Sequence, residues 1–273
     1  MKWIWIVTII VCCCVLGFAQ DNKIKAGFIL FKAKQESHKN TGSIDRIFVE
    51  SASRYNVRKE KLKPGIIPSY EYKTELWVQK PNRIKLKTLT NYPGGSSQLT
   101  EKTIFEQTAK TSTMVKNPSD NGFSPFILQE RGDPKRNEEI LLQKVKYEAF
   151  SLSFPIFLFS DENLSFEYLG VAKSGEQNAD ILATSIADNY KIKLFFDQKT
   201  RQLLLMSTRF VEPKTGEEIE HKYFFSEYKE ENGINFAHKV IIHENGEIIE
   251  ERDIKRIELN PKLESNFFEA KNK

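Results

Sequence analysis

The chain has 273 residues, with 41 Lys and Arg against 37 Asp and Glu for a net charge of +4, and 40% of it is hydrophobic. Twenty Phe, nine Tyr and three Trp supply core material, which excludes a disordered chain. A charge this small, spread along the whole sequence, gives no basis for a nucleic-acid partner.

The chain opens on Lys2, then an apolar run that ends in Gly17-Phe18-Ala19, with small residues at the −3 and −1 positions of a cleavage site. Residues 1–19 therefore read as a secretory signal peptide cut before Gln20, and 20–273 as one domain, soluble outside the cytoplasm. The other reading of the run is a retained anchor, since ~17–25 apolar residues span a bilayer. Cys12, Cys13 and Cys14, the three cysteines, all fall inside this segment. The remainder has no disulfide, thiol nucleophile or Cys-based zinc site to offer. Ile10-Val11 before Cys12, in the middle of the run, do not make a lipoprotein acceptor site. Removal of Lys2 leaves 40 basic against 37 acidic residues, a charge of +3.

Ala26, Ile29, Leu30 and Ala33 follow the spacing of an amphipathic helix, expected over about 23–37. The period then drops to two. Ile47/Val49, Tyr55/Val57 and Tyr70, Tyr72, Thr74, Leu76, Val78 alternate with polar residues, and Lys80-Pro81-Asn82 marks a turn into Ile84/Leu86. Residues 91–97 read as a loop, 103–114 as one weak strand and 117–122 as a second loop. Asp133-Pro134 looks like a helix start, with Ile140, Leu141, Leu142, Val145 and Ala149 behind it. The dense cluster Phe150–Phe159 follows, broken by Pro155.

From about 164 onward the text is strands: Phe166/Tyr168, 181–186, Ile192/Leu194/Phe196, 203–210, Tyr223/Phe225, 236–242 and 248–259. Turn signals separate them, with Asn232-Gly233 and Asn245-Gly246 the strongest hairpin cues. This pattern predicts a mainly β fold with some α. One large, strongly curved antiparallel sheet would carry helices over its concave side, because a lone sheet cannot bury both faces.

The chemistry is sparse. His238 and His243 are five apart on one predicted strand and so point to opposite faces, which rules out a shared metal. His38 and His221 read as solvated, at a helix end and a strand start. No nucleophile elbow, phosphate-binding glycine loop or zinc-protease motif is present. Carboxylate pairs such as Glu217/Glu218 and Glu250/Glu251 read as solvated faces, and Lys80, Arg83, Lys85 and Lys87 as a solvated strand face or a rim for anionic partners. No catalytic residue, metal or cofactor is predicted.

Several stretches carry a resemblance. Trp77-Val-Gln-Lys-Pro-Asn-Arg-Ile-Lys-Leu-Lys87, Phe166-Glu-Tyr-Leu-Gly170, Lys193 to Leu205 with its Asp-x-x-Thr turn, Phe225 to Phe236 with Gly-Ile, and Ile257-Glu-Leu-Asn-Pro to Phe268 resemble the LolA/LolB-like outer-membrane lipoprotein-sorting proteins. The resemblance covers about 23–268, and its motifs are turns and apolar strands. The chain departs from it at Ala237, where relatives often have Pro, and in a longer stretch between 89 and 163. What the resemblance implies is an unclosed β-barrel with a helical lid over an apolar cavity. That cavity would hold the acyl chains of a lipid or acylated lipoprotein, taken from a membrane-bound donor and passed to an acceptor protein at the outer membrane. A sensor or assembly factor on the same fold, binding a protein or lipid without transporting it, is the alternative, and a hydrolase with an unrecognised dyad is a third. For such a cavity, alternation turns Leu76, Val78, Ile84, Leu86, Ile192, Leu194, Phe196, Leu203 and Leu205 to the concave side, and Phe154, Phe157 and Phe159 beside Pro155 belong to the lid.

Overall fold

A computed structural model describes residues 2–37, 44–58, 64, 68–80, 83–105, 108–125, 142, 151–152, 164–174, 177–187, 190–211, 216–231 and 233–268, with side chains from residue 20 on. Among the described residues, the helix α1 (Lys2–Ser37) precedes thirteen strands. The first six are β1 (Arg46–Asn56), β2 (Ser69–Gln79), β3 (Arg83–Asn91), β4 (Ser97–Phe105), β5 (Thr108–Lys116) and β6 (Ser124–Pro125). The other seven are β7 (Glu167–Ser174), β8 (Gln177–Ala187), β9 (Tyr190–Asp197), β10 (Leu203–Val211), β11 (Glu218–Glu231), β12 (Ile234–Glu244) and β13 (Glu247–Leu259).

All thirteen form one antiparallel sheet in the order β6-β5-β4-β3-β2-β1-β13-β12-β11-β10-β9-β8-β7. Two meanders are thus joined at their outer ends, where the first strand pairs with the last. The sheet is open, because β6 and β7 are its two edges.

The β1–β13 seam is tied by Asn260, whose Oδ1 accepts from the backbone N–H groups of Asp45 at 2.9 Å and Arg46 at 3.1 Å. Its own N–H donates to Arg46 O at 2.8 Å. The side chain can do this because Asn260 sits at φ 51, a left-handed position that Asn tolerates. Beyond it Phe267 packs edge-on against Trp77 at 5.3 Å, and Trp77 lies 5.1 Å from Phe48. The closing Asn…Phe motif is therefore a clasp across strands from the two ends of the chain.

The hairpins follow their turn chemistry. Asn245 (φ 49) and Gly246 (φ 94) supply the paired positive φ values of a type I′ turn between β12 and β13. Asp197 closes the β9–β10 turn, its Oδ1 accepting from the N–H of Lys199 at 2.8 Å, the N–H of Thr200 at 2.7 Å and the Thr200 hydroxyl at 3.1 Å. Burial alone would raise its pKa, but these donors outweigh that and hold the carboxyl below the usual range.

The expected helix at 23–37 is present, but as the end of one helix that begins at Lys2. No proline interrupts 17–23, so nothing in the local sequence stops it. Ala26, Ile29 and Ala33 are buried, while Ile24, Phe28 and Phe31 on its other side are exposed. The weak strand expected at 103–114 is instead parts of two strands, β4 and β5, paired as a hairpin. Within the segment expected to be helical before Phe150, Leu142 is described as helical; so are Ser151 and Leu152 just after it, and the rest lies outside the described residues.

Candidate functional site

The register defines two faces. Leu182, Leu194, Met206 and Tyr223 stand directly abreast on β8 to β11, and Ile47, Val78, Ile84 and Ile104 on β1 to β4. All are buried in one apolar cluster that also holds Ala26, Ile29 and Ala33 of α1. We call this the inner face. The helix presents mainly small residues to it, and α1 packs against β7 and β12.

Of the residues expected on that face, Leu76, Val78, Ile84, Leu86, Ile192, Leu194, Phe196 and Leu203 are all in the cluster. Leu205 is not. A bulge between Leu203 and Leu205 inserts one residue into β10, so Leu205 opposes Phe195 and Phe224 on the other face and Met206 takes the inner position. Phe154, Phe157 and Phe159 lie outside the described residues. Just before them, Leu152 is buried in the same cluster and Ser151 O accepts from Arg252 Nη1 at 3.4 Å.

One inner patch is polar. Glu250 and Arg252 alternate inward on β13 and form an ion pair of 2.8 Å with both side chains 7% exposed. The expectation of a solvated Glu250/Glu251 pair thus holds only for Glu251, because Glu250 faces the interior. Tyr72 on β2 hydrogen-bonds Glu250, and its pKa is raised by burial first and by the Glu250 charge second. For Arg252, burial acts against the charge, but Glu250 and Tyr72 outweigh it and raise the pKa. Tyr70, stacked 5.1 Å from Tyr55, is pushed up to about 12 by burial and by its tyrosine neighbours Tyr55 and Tyr92.

A second polar chain lies at the ends of β11 and β12. His221 is not solvated as expected: its Nε2 is 3.1 Å from Glu244 Oε2, its Nδ1 is 3.4 Å from the Tyr223 hydroxyl, and Arg58 Nη1 donates to Glu244 Oε1 at 2.6 Å. His238 stacks on Phe236 while His243 packs on Phe224, so these two do point to opposite faces. Among the described residues no three His, Cys, Asp or Glu side chains converge as a metal site. Ser51 Oγ and Thr208 Oγ1 are two inner-face hydroxyls left buried without a hydrogen-bond partner among those residues. The face as built offers apolar surface with a self-paired polar inset.

Lys85 and Lys87 sit on the opposite face, 3.2 Å from Glu101 and 3.5 Å from Glu75, and Arg83 covers the Phe105 ring at 4.7 Å. Lys87 is solvated there, whereas Lys85 is covered by Phe267, its Nζ 4.9 Å from the ring and donating to Phe267 O at 3.5 Å. Among the described residues, no helix is long and apolar enough to cross a membrane.

No family model matches the chain, and no curated protein does. Solved structures do. A LolA superfamily protein from Nitrosomonas europaea is similar, at 14% identity and a TM-score of 0.50, over 89% of this chain and 96% of that one. A putative outer membrane lipoprotein-sorting protein domain from Vibrio parahaemolyticus matches at 16% identity and a TM-score of 0.47, over 88% and 94% of the two chains. A DUF1329 family protein from Desulfovibrio piger matches at 14% identity and 0.46, over 91% and 98%. The likeness to the Nitrosomonas protein shows that the chain has the LolA-like fold of an open antiparallel sheet.

Proposed function

We propose that the protein is a periplasmic carrier that shelters the acyl chains of a lipid or acylated lipoprotein on the inner face and passes them towards the outer membrane. The observation that carries this reading is the pair of inner apolar rows of an open sheet, one on β8 to β11 and one on β1 to β4, backed by Ala26, Ile29 and Ala33 of α1. Each buried CH₂ of an acyl chain is stabilised there by ~0.8 kcal/mol, so a chain of ordinary length needs no covalent or catalytic group to be held. The fold, shared with a LolA superfamily protein, supports the same reading. Residues 1–19 act in it as the export signal, and 20–273 as the single carrier domain, with no enzymatic step.

The test is transfer. Donor vesicles holding a fluorescent acylated peptide are mixed with unlabelled acceptor vesicles, and the protein is added. A carrier raises the rate of label exchange in proportion to its concentration. Stoichiometric uptake of the label without onward transfer would support a lipid sensor on the same fold instead, and neither uptake nor transfer would remove both readings.

A further inference from the structure

The outer face carries an apolar row of its own. Ile181, Phe195, Leu205, Phe224 and Ile241 are directly opposed in sequence across β8, β9, β10, β11 and β12. Five adjacent strands make that row about 19 Å long. It is not core: all five are absent from the buried cluster, and Phe224 is 37% exposed. The β10 bulge decides which leucine completes it: with Leu204 as the inserted residue, Leu205 opposes Phe195.

Cations border one side of the row. Lys193 opposes Ser207, which opposes Lys222, and Lys191 opposes Arg209, all on the same face. Of the acidic residues there, Glu218 and Glu220 are held by Arg209 at 3.6 and 3.2 Å, and Glu220 also by Lys222 at 3.2 Å; Glu167, exposed on the edge strand β7, lies beyond Ala183 from Lys193. Lys191 and Lys193 are exposed and have no ion-pair partner among the described residues.

We infer that this face docks on an anionic lipid surface. The charge is complementary to phosphate headgroups, and the lysine stems are long enough to reach them while the apolar row lies at the acyl boundary. A protein hot spot usually fills a pocket, whereas the directly opposed side chains here make a ridge. The inference does not depend on the carrier reading, which concerns the other face.

The test is flotation of the full chain with vesicles of phosphatidylcholine alone or mixed with phosphatidylglycerol. Every variant shares residues 1–19, so their contribution cancels in the comparison. The chain should float with the mixed vesicles. Lys191→Glu with Lys193→Glu should lower that partition by about tenfold or more, at about 1 kcal/mol per lysine near such a surface. Phe224→Asp should also lower it. Lys73→Glu with Lys87→Glu, on the outer face of β2 and β3, is the charge-matched control and should change it less than twofold. In the unmodified chain, amide exchange at 191–195 and 222–224 should slow when mixed vesicles are added. Equal partition into both vesicle types, equal loss in the control pair, or no protection at those amides would overturn the inference. So would self-association or protein binding through this face without flotation.

Discussion

Replacing Arg252 by Leu lowers the free energy of unfolding by about 3–5 kcal/mol, the cost of leaving a buried charge without its partner. Arg252 and Glu250 are both almost fully buried, and the guanidinium holds the carboxylate at 2.8 Å. Tyr72 hydrogen-bonds the same carboxylate and Ser151 O accepts from the same guanidinium, so one substitution disturbs contacts from three separate parts of the chain. The pair as a whole contributes far less than either single loss suggests, because burying two charges costs nearly what their attraction returns. Glu250→Leu added to Arg252→Leu should therefore recover most of the stability. Urea unfolding of the two single variants and the double variant measures the coupling directly. A double variant as unstable as the sum of the singles would show that the two charges do not act as a pair.

Replacing Leu86 by Trp separates a cavity from a core. Leu86 is 2% exposed and faces inward opposite Leu76. If acyl chains occupy the space in front of it, the indole takes that space: the lipid recovered with the protein falls several-fold, while stability without lipid changes by under about 1 kcal/mol. If the inner face is filled by the protein's own side chains, the larger ring strains them at about 1–3 kcal/mol and lipid recovery does not change. The carrier reading predicts the first pattern. Lipid analysis beside thermal unfolding of the delipidated protein checks it.

The parts of this fold that were legible in the sequence are those where one face is apolar and the turn chemistry is explicit. Leu76/Val78, Ile84/Leu86 and Ile192/Leu194/Phe196 keep a strict period of two, and each set lies on the inner face as alternation requires. The hairpin between β4 and β5 was not legible, because the sequence between Phe105 and Thr108 contains no Gly, Pro, Asn or Asp. Nor was the bulge that turns Leu205 outward, since Leu203-Leu204-Leu205 reads equally well in either register. The buried pair on β13 was hidden for a third reason. Its text, Glu250-Glu-Arg-Asp253, has no apolar alternation, and only its partners on β2 and near Ser151 show which charges face in. The pairing of β1 with β13 joins residues some two hundred positions apart and is beyond any local pattern.

The central claim, that the inner face holds acyl chains, is tested most directly by weighing what the protein carries. The protein is purified gently from the cell and extracted with organic solvent, and the extract is analysed by mass spectrometry against protein amount. The account predicts lipid or acylated peptide near one molecule per chain, reduced several-fold in Leu86→Trp. Protein that carries none, and takes up none when phospholipid and acylated peptide are offered to it, would contradict the account.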